Sequence, residues 1–216
     1  MSEEEVKVEI GNEIPEKELL IDRDKYLAAG VHIGTKLKTK HTLKWIYRTT
    51  SYGLYVININ LTDDRIRIAA KFFSRFPPEK ILVCSVRRYG GQPVRKFCEI
   101  VKAIPIDRRF IPGTLTNPMV SSFMEPKVIL IIDPHADKQV LKEAKAARIP
   151  VVSLIDTDDM VDGIDLVIPT NNRGRKALSL IMYLLARQIL REKGDILPNE
   201  DLKVDISEFE SKIVAK

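Results

Sequence analysis

Apolar residues in this chain fall into short continuous runs, and between the runs they recur every three or four positions. Residues 54–59 are apolar and β-branched, which predicts a strand, and residues 81–86, 127–132, 151–155 and 166–168 predict four more. After the first run, Thr62, Asp63 and Asp64 offer an N-cap and first-turn acids. Ile66, Ala69, Ala70 and Phe73 then repeat at helical spacing until Pro77 and Pro78 end the pattern. Further helices are expected over 93–103, 137–148 and 174–193. In the second of these, Val140, Leu141, Ala144 and Ala147 share one face, and Lys138, Lys142 and Lys145 share the other. A short helix over 23–29 precedes them all, with Gly30 placed to close it at positive φ.

Strands that are apolar throughout are buried on both faces, and helices between them make parallel crossovers, nearly always right-handed. The expected class is α/β: a doubly wound, mainly parallel sheet of about five strands, flavodoxin-like or Rossmann-like, with helices on both faces. The 216 residues suit a single domain of ordinary size with a real core.

Charge divides the chain differently. Residues 1–24 carry a net −6 and residues 195–216 a net −3, so the overall +5 leaves +14 on residues 25–194. The expected organisation is an acidic N-terminal arm over 1–21, a basic α/β domain over 22–194 and an acidic C-terminal arm over 195–216. The second arm alternates acids with Val204, Ile206, Phe209 and Ile213, the pattern of a segment that orders on a partner surface. A body so basic attracts polyanions.

Several classes are disfavoured. Cys84 and Cys98 have no partner at metal-ligand spacing and read as small buried hydrophobes of a reducing compartment. The N-terminus is acidic where a signal peptide needs basic and then apolar residues. The longest apolar stretch, residues 177–190, falls short of the about 20 residues that span a membrane and contains Arg187. A soluble, cytoplasmic protein is expected.

Ligands in this fold class bind beyond the carboxyl ends of the strands, so each strand exit is a candidate site. One reading is a metal-dependent phosphatase or phosphotransferase, with Asp133, Asp156 and Asp158 holding Mg²⁺ and Arg88 holding phosphate. The plainer reading is that Asp63, Asp137 and Asn172 cap helices and that Asp133 before Pro134 forms a turn. No glycine-rich nucleotide-cradling motif follows any strand. His32, His41 and His135 are far apart in sequence, and Ser85 and Ser153 sit inside strands, so no nucleophile–base pair is apparent. The expectation is no enzyme, no cofactor and no metal.

The cations form a more coherent set. Lys36, Lys38, Lys40, Lys44 and Arg48 occupy one loop and its sequel, interleaved with Trp45 and Tyr47; Trp45 reads as core. Arg87 and Arg88 precede Tyr89, Gly90 and Gly91, whose glycines let backbone N–H groups approach a phosphate. Arg108 and Arg109 form a third group. Arg173, Arg175 and Lys176 form a fourth, where they oppose a helix dipole and call for a compensating anion. The expected nucleic-acid-binding residues are Lys36, Lys38, Lys40, Arg87, Arg88, Arg108, Arg109, Arg173, Arg175 and Lys176. They would make mainly phosphate contacts. A free regulatory module that binds a partner through the C-terminal arm is a third reading.

The run Ala29-Gly30-Val31-His32-Ile33-Gly34 resembles the opening "AGVHxG" motif of the small-subunit ribosomal protein S-two family. Trp45-Ile46-Tyr47 and the strand leading to Leu61-Thr62 are similar to the next segment of that family. Gly113-Thr114-Leu115-Thr116-Asn117 resembles its "GxLTN" loop, and residues 128–134 its strand ending in "DP". Residues 149–157 resemble "IPVVxxxDT" and residues 168–172 "IPxNN". The motifs keep the family order over residues 24–193. The resemblance implies a structural constituent of the small ribosomal subunit at the head–body junction. It would bind small-subunit rRNA and neighbouring ribosomal proteins, the latter through the acidic arms, with no cofactor. Bacterial members carry a coiled-coil insertion after the LTN loop, and residues 117–127 leave no room for one. The chain is therefore similar to the archaeal and eukaryotic branch, and its short acidic C-terminal stretch points to the archaeal side.

Overall fold

The computed structural model describes residues 19–212. These residues contain five α-helices: α1 Arg23–Ala29, α2 Ile59–Phe73, α3 Gly91–Val101, α4 Lys138–Ala147 and α5 Arg175–Lys193. Their seven strands are β1 Ile46–Thr49, β2 Tyr55–Ile57, β3 Ile81–Cys84, β4 Ile104–Ile106, β5 Val128–Ile131, β6 Val151–Ile155 and β7 Leu166–Pro169.

Five of the strands form one parallel sheet in the order β4-β3-β5-β6-β7. Numbered within that sheet the order is 2-1-3-4-5, the flavodoxin-like arrangement expected from the pattern. Every residue of β3, β5 and β6 is buried, as the continuous apolar runs require. One face packs Ile81, Val83, Val128 and Leu130 under α2, α3 and α5. The other packs Leu82, Ile129 and Ile131 under α4 and the loop carrying Phe110 and Leu115. Cys84 and Cys98 are buried free thiols, and burial pushes both up, Cys98 to about 12.

One member of the sheet differs from expectation. The run over 54–59 does not join it: β2 pairs antiparallel with β1 in a separate two-stranded hairpin. The fifth place goes to β4, three residues long with Pro105 at its centre. Proline removes a ladder donor and is confined to edges, and β4 is an edge strand.

The start of α2 differs as well. Asn58 caps the helix by accepting the N–H of Asn60 at 3.0 Å, so Thr62, Asp63 and Asp64 lie inside it. Asp63 is instead a buried hub that accepts the N–H of Leu20 at 2.9 Å, the hydroxyl of Tyr26 at 2.8 Å and Nε of Arg67 at 2.8 Å.

Most of the arm expected over 1–21 lies outside the described residues, as does Ile213. Leu19, Leu20 and Ile21 pack against the core. The alternating stretch after α5 finds its surface on this chain. Phe209 is fully buried and meets the ring of Tyr183 edge-on at 5.8 Å, and Val204 and Ile206 pack beside it. Arg187, buried within α5, donates to Asp201 and to the carbonyl of Leu20, each at 2.6 Å, and so clamps both ends of the described chain.

Candidate nucleic-acid interface

Because the five sheet strands are parallel, their carboxyl ends share one edge. Arg87 and Arg88 follow β3, Arg108 and Arg109 follow β4, and Arg173, Arg175 and Lys176 span the passage from β7 into α5. Lys36, Lys38 and Lys40 come from a loop more than a hundred residues earlier than β6, yet Thr157 ties that loop to the same edge. Its hydroxyl accepts the N–H of Thr35 at 2.9 Å, and its carbonyl accepts the hydroxyl of Thr42 at 2.7 Å and the N–H of Thr39 at 3.2 Å. The approach depends on Gly34, where a Cβ would lie 2.6 Å from Cγ2 of Thr157 and 2.9 Å from the carbonyl oxygen of Tyr55. The fold thus gathers all ten expected cations along one edge.

They serve in two ways. Arg87 is ion-paired with Asp133, Arg173 with Asp158 at 2.7 Å and Arg175 with Glu210 at 2.7 Å. Lys36, Lys38, Lys40, Arg88, Arg108, Arg109 and Lys176 are exposed and make no ion pair among the described residues. Lys38 extends over the ring of Tyr55 at 4.9 Å. Two of the three cations at the start of α5 therefore find their anions within the chain, in Asp158 and Glu210. The helix start is secured by Asn171, whose side-chain oxygen accepts the N–H groups of Arg173 at 3.0 Å and Gly174 at 2.9 Å. This is the role expected of Asn172, which instead lies buried and donates to Asp159 at 2.7 Å.

The strand-exit aspartates are engaged internally. Asp133 accepts the N–H groups of His135 at 2.8 Å and Ala136 at 3.2 Å besides Arg87, so it is the turn former its place before Pro134 suggests. Asp137 sits at the N-cap of α4 but makes no side-chain cap bond, accepting instead the N–H of Val86 at 3.1 Å. Asp156 accepts the N–H of Thr157 at 2.7 Å. Burial pushes the carboxyls of Asp137 and Asp156 up to about 7 and raises that of Asp159. No set of side chains arranged to hold a metal ion occurs among the described residues; Asp133 is engaged by Arg87 and two N–H groups, Asp156 by the N–H of Thr157 and Asp158 by Arg173.

Glu143 is a loop-positioning residue that the pattern does not reveal. It lies buried on α4 and accepts the N–H groups of Gly113 at 2.8 Å and Leu115 at 3.1 Å and the amide of Gln139 at 2.7 Å. Burial pushes its carboxyl up, but these hydrogen bonds outweigh burial and hold it below the usual range. The 110–118 loop, next to Arg108 and Arg109, is thereby fixed to the body. The only signal was an acid at an inward position between Val140 and Ala144.

The ribosomal protein S2 family model matches residues 26–124 and 119–192 of the chain. Among similar proteins, small ribosomal subunit protein uS2 of Staphylothermus marinus is 54% identical over 198 residues, covering 92% of this chain and 90% of that protein. The uS2 proteins of Thermofilum pendens and Saccharolobus solfataricus are 50% and 51% identical, covering 92% and 91% of this chain and 93% and 85% of theirs. All three relatives are archaeal.

Proposed function

We propose, from the premise that this chain belongs to the ribosomal protein S2 family, that it is a structural constituent of the small ribosomal subunit and acts by binding rather than by catalysis. Its place is the ribosome of the cytoplasm, and its partners are small-subunit rRNA and neighbouring ribosomal proteins. The observation that carries the RNA contact is the row of exposed cations along the sheet edge, none of which is neutralised by an ion pair among the described residues: Lys36, Lys38, Lys40, Arg88, Arg108, Arg109 and Lys176. Such residues neutralise phosphates and position the protein without reading bases. Arg87, Arg173 and Arg175 belong to the same surface but divide their charge between RNA and Asp133, Asp158 and Glu210. The acidic terminal stretches are the surfaces offered to basic protein neighbours at the head–body junction, except for Asp201, Glu208 and Glu210, which pair with Arg187, Lys96 and Arg175 of this chain.

The test has two parts. In a sucrose gradient the tagged chain co-migrates with small subunits; a chain found only in the free fractions would remove the main claim. With an isolated rRNA fragment, log K falls with log salt by about 0.7 to 0.9 for each phosphate neutralised. A flat salt response would remove the electrostatic part.

A further inference from the structure

Residues 25–62 contain no aspartate or glutamate. The same stretch holds Lys25, Lys36, Lys38, Lys40, Lys44 and Arg48, together with Tyr26, Trp45, Tyr47, Tyr52 and Tyr55. The structure folds its second half into the β1–β2 hairpin, and residues 32–35 run along the open side of β2. Gly34 donates to the carbonyl of Tyr55 at 2.9 Å, Tyr55 donates to that of Thr35 at 3.0 Å, and Ile57 donates to that of His32 at 2.8 Å. The result is a small platform, the two-stranded hairpin edged by residues 32–35, with the lysine loop beside it, lying outside the main sheet.

Two aromatic side chains stand off this platform. Tyr47 is 67% exposed and Tyr52 is 82% exposed, whereas Tyr26 and Trp45 are buried. Tyr47 is exposed for a specific reason. Ile46 pairs with Ile57 and Arg48 with Val56, so Tyr47 is the extra residue of a β-bulge, a feature that re-aims a side chain. Tyr52 sits in the hairpin turn, where Gly53 takes a positive φ. That turn is stitched by the N–H of Gly53 to the carbonyl of Thr50 at 2.9 Å and by the N–H of Leu54 to the hydroxyl of Thr50 at 3.0 Å. On the same platform Lys38, over the ring of Tyr55 at 4.9 Å, Lys44, over the ring of Trp45 at 4.9 Å, and Arg48, next to Tyr47 in the chain, are exposed and make no ion pair among the described residues. A hydrophobic protein partner needs no such excess of one charge. A polyanion with exposed flat faces needs both the cations and the rings.

We infer that the β1–β2 hairpin is a stacking platform for unpaired RNA bases, with Tyr47 and Tyr52 receiving bases and Lys38, Lys44 and Arg48 holding the adjoining phosphates. The inference rests on the RNA-binding reading above and refines it. Elsewhere on the sheet edge the cations meet only backbone phosphates, whereas here a single strand is preferred over a duplex, whose bases are already stacked.

The experiment uses the full chain and an unstructured oligouridine, with a sugar–phosphate oligomer of equal length that lacks bases as its control. Each tyrosine changed to alanine lowers oligouridine affinity about tenfold, within a range of roughly 5- to 150-fold. Tyr47→Phe and Tyr52→Phe, which keep the ring, bind as the parent does, and the base-free oligomer does not distinguish any of the variants. In assembled small subunits, a photoreactive phenylalanine derivative at position 52 cross-links to rRNA. A Tyr47→Ala/Tyr52→Ala double variant that binds oligouridine like the parent overturns the inference, as do cross-links that reach only protein. Either result leaves co-migration with small subunits intact. Loss of co-migration by the parent chain would instead strike the ribosomal reading itself.

Discussion

Two neighbouring parts of the molecule treat charge in opposite ways. At the exits of β5 and β6, Asp133, Asp137, Asp156 and Asp159 are buried, and Arg87 and Arg173 are drawn in to neutralise them or their neighbour Asp158. Across Thr157, in residues 25–62, there is no carboxylate, and the lysines point outward. The first region uses charge for its own architecture, and the second keeps it for a partner. A charged residue at a strand exit therefore does not by itself mark an active site, and burial with an internal partner separates the two cases.

The contrast breaks or holds under four measurements. The largest effect belongs to Arg87→Ala, which leaves the fully buried Asp133 without its cation. The expected loss is about 3 kcal/mol in urea unfolding, the low end for a broken buried pair because a third of the arginine side chain faces water. A loss within about 0.5 kcal/mol would place Arg87 with the outward cations. Next, replacing Lys36, Lys38 and Lys40 together by alanine leaves the urea midpoint unchanged. It makes the salt dependence of rRNA binding shallower by about 2 to 3 in log–log slope. Unchanged binding would show that these lysines face solvent only.

The third effect is in pH. The folded-state carboxyls of Asp137 and Asp156 titrate near 7, above the ordinary aspartate range, so between about pH 4 and pH 7 the folded state holds more protons than the unfolded one. Their contribution to stability is fully present below that window and is lost as pH rises through about 7. Asp156→Asn mimics the protonated form, so the variant's unfolding free energy declines less over this window than the parent's. Parallel pH profiles would contradict the raised titration. The smallest effect serves as a reference. Lys145 and Asp162 pair at 3.1 Å with side chains 61% and 85% exposed, and Lys145→Ala costs under about 1 kcal/mol. A larger loss there would mean that exposure does not sort the ion pairs of this protein.

Much of this was readable along the chain. Periodicity located α1, α3, α4 and α5 and the three central strands, because long or fully apolar segments leave little choice. It failed where identity depends on pairing. Tyr55, Val56 and Ile57 do form a strand, but nothing local says that its neighbour is β1 rather than β3. Pro105 hid β4, since a three-residue edge strand carries almost no pattern. Asn58 is not legible as a cap because the β-branched residues on both sides of it read as strand. Between the adjacent Asn171 and Asn172, only backbone geometry decides which one turns back to the helix start. The candidate site was legible as a set of positions. Which cations stay free was not legible, because their partners Asp158 and Glu210 are set by tertiary folding.

The burial of Phe209 has a consequence for the time order of folding. A chain emerges from its N-terminus during synthesis, and domains fold as units once their parts are available. The pocket against Tyr183 and α5 is complete in sequence by Lys193, but the ring that closes it comes later. Until then the growing polypeptide holds an apolar cleft open to water, in a nascent state that invites chaperone contact. A chain truncated between residues 194 and 208 would keep the residues of every sheet strand but lack the ring that covers Tyr183.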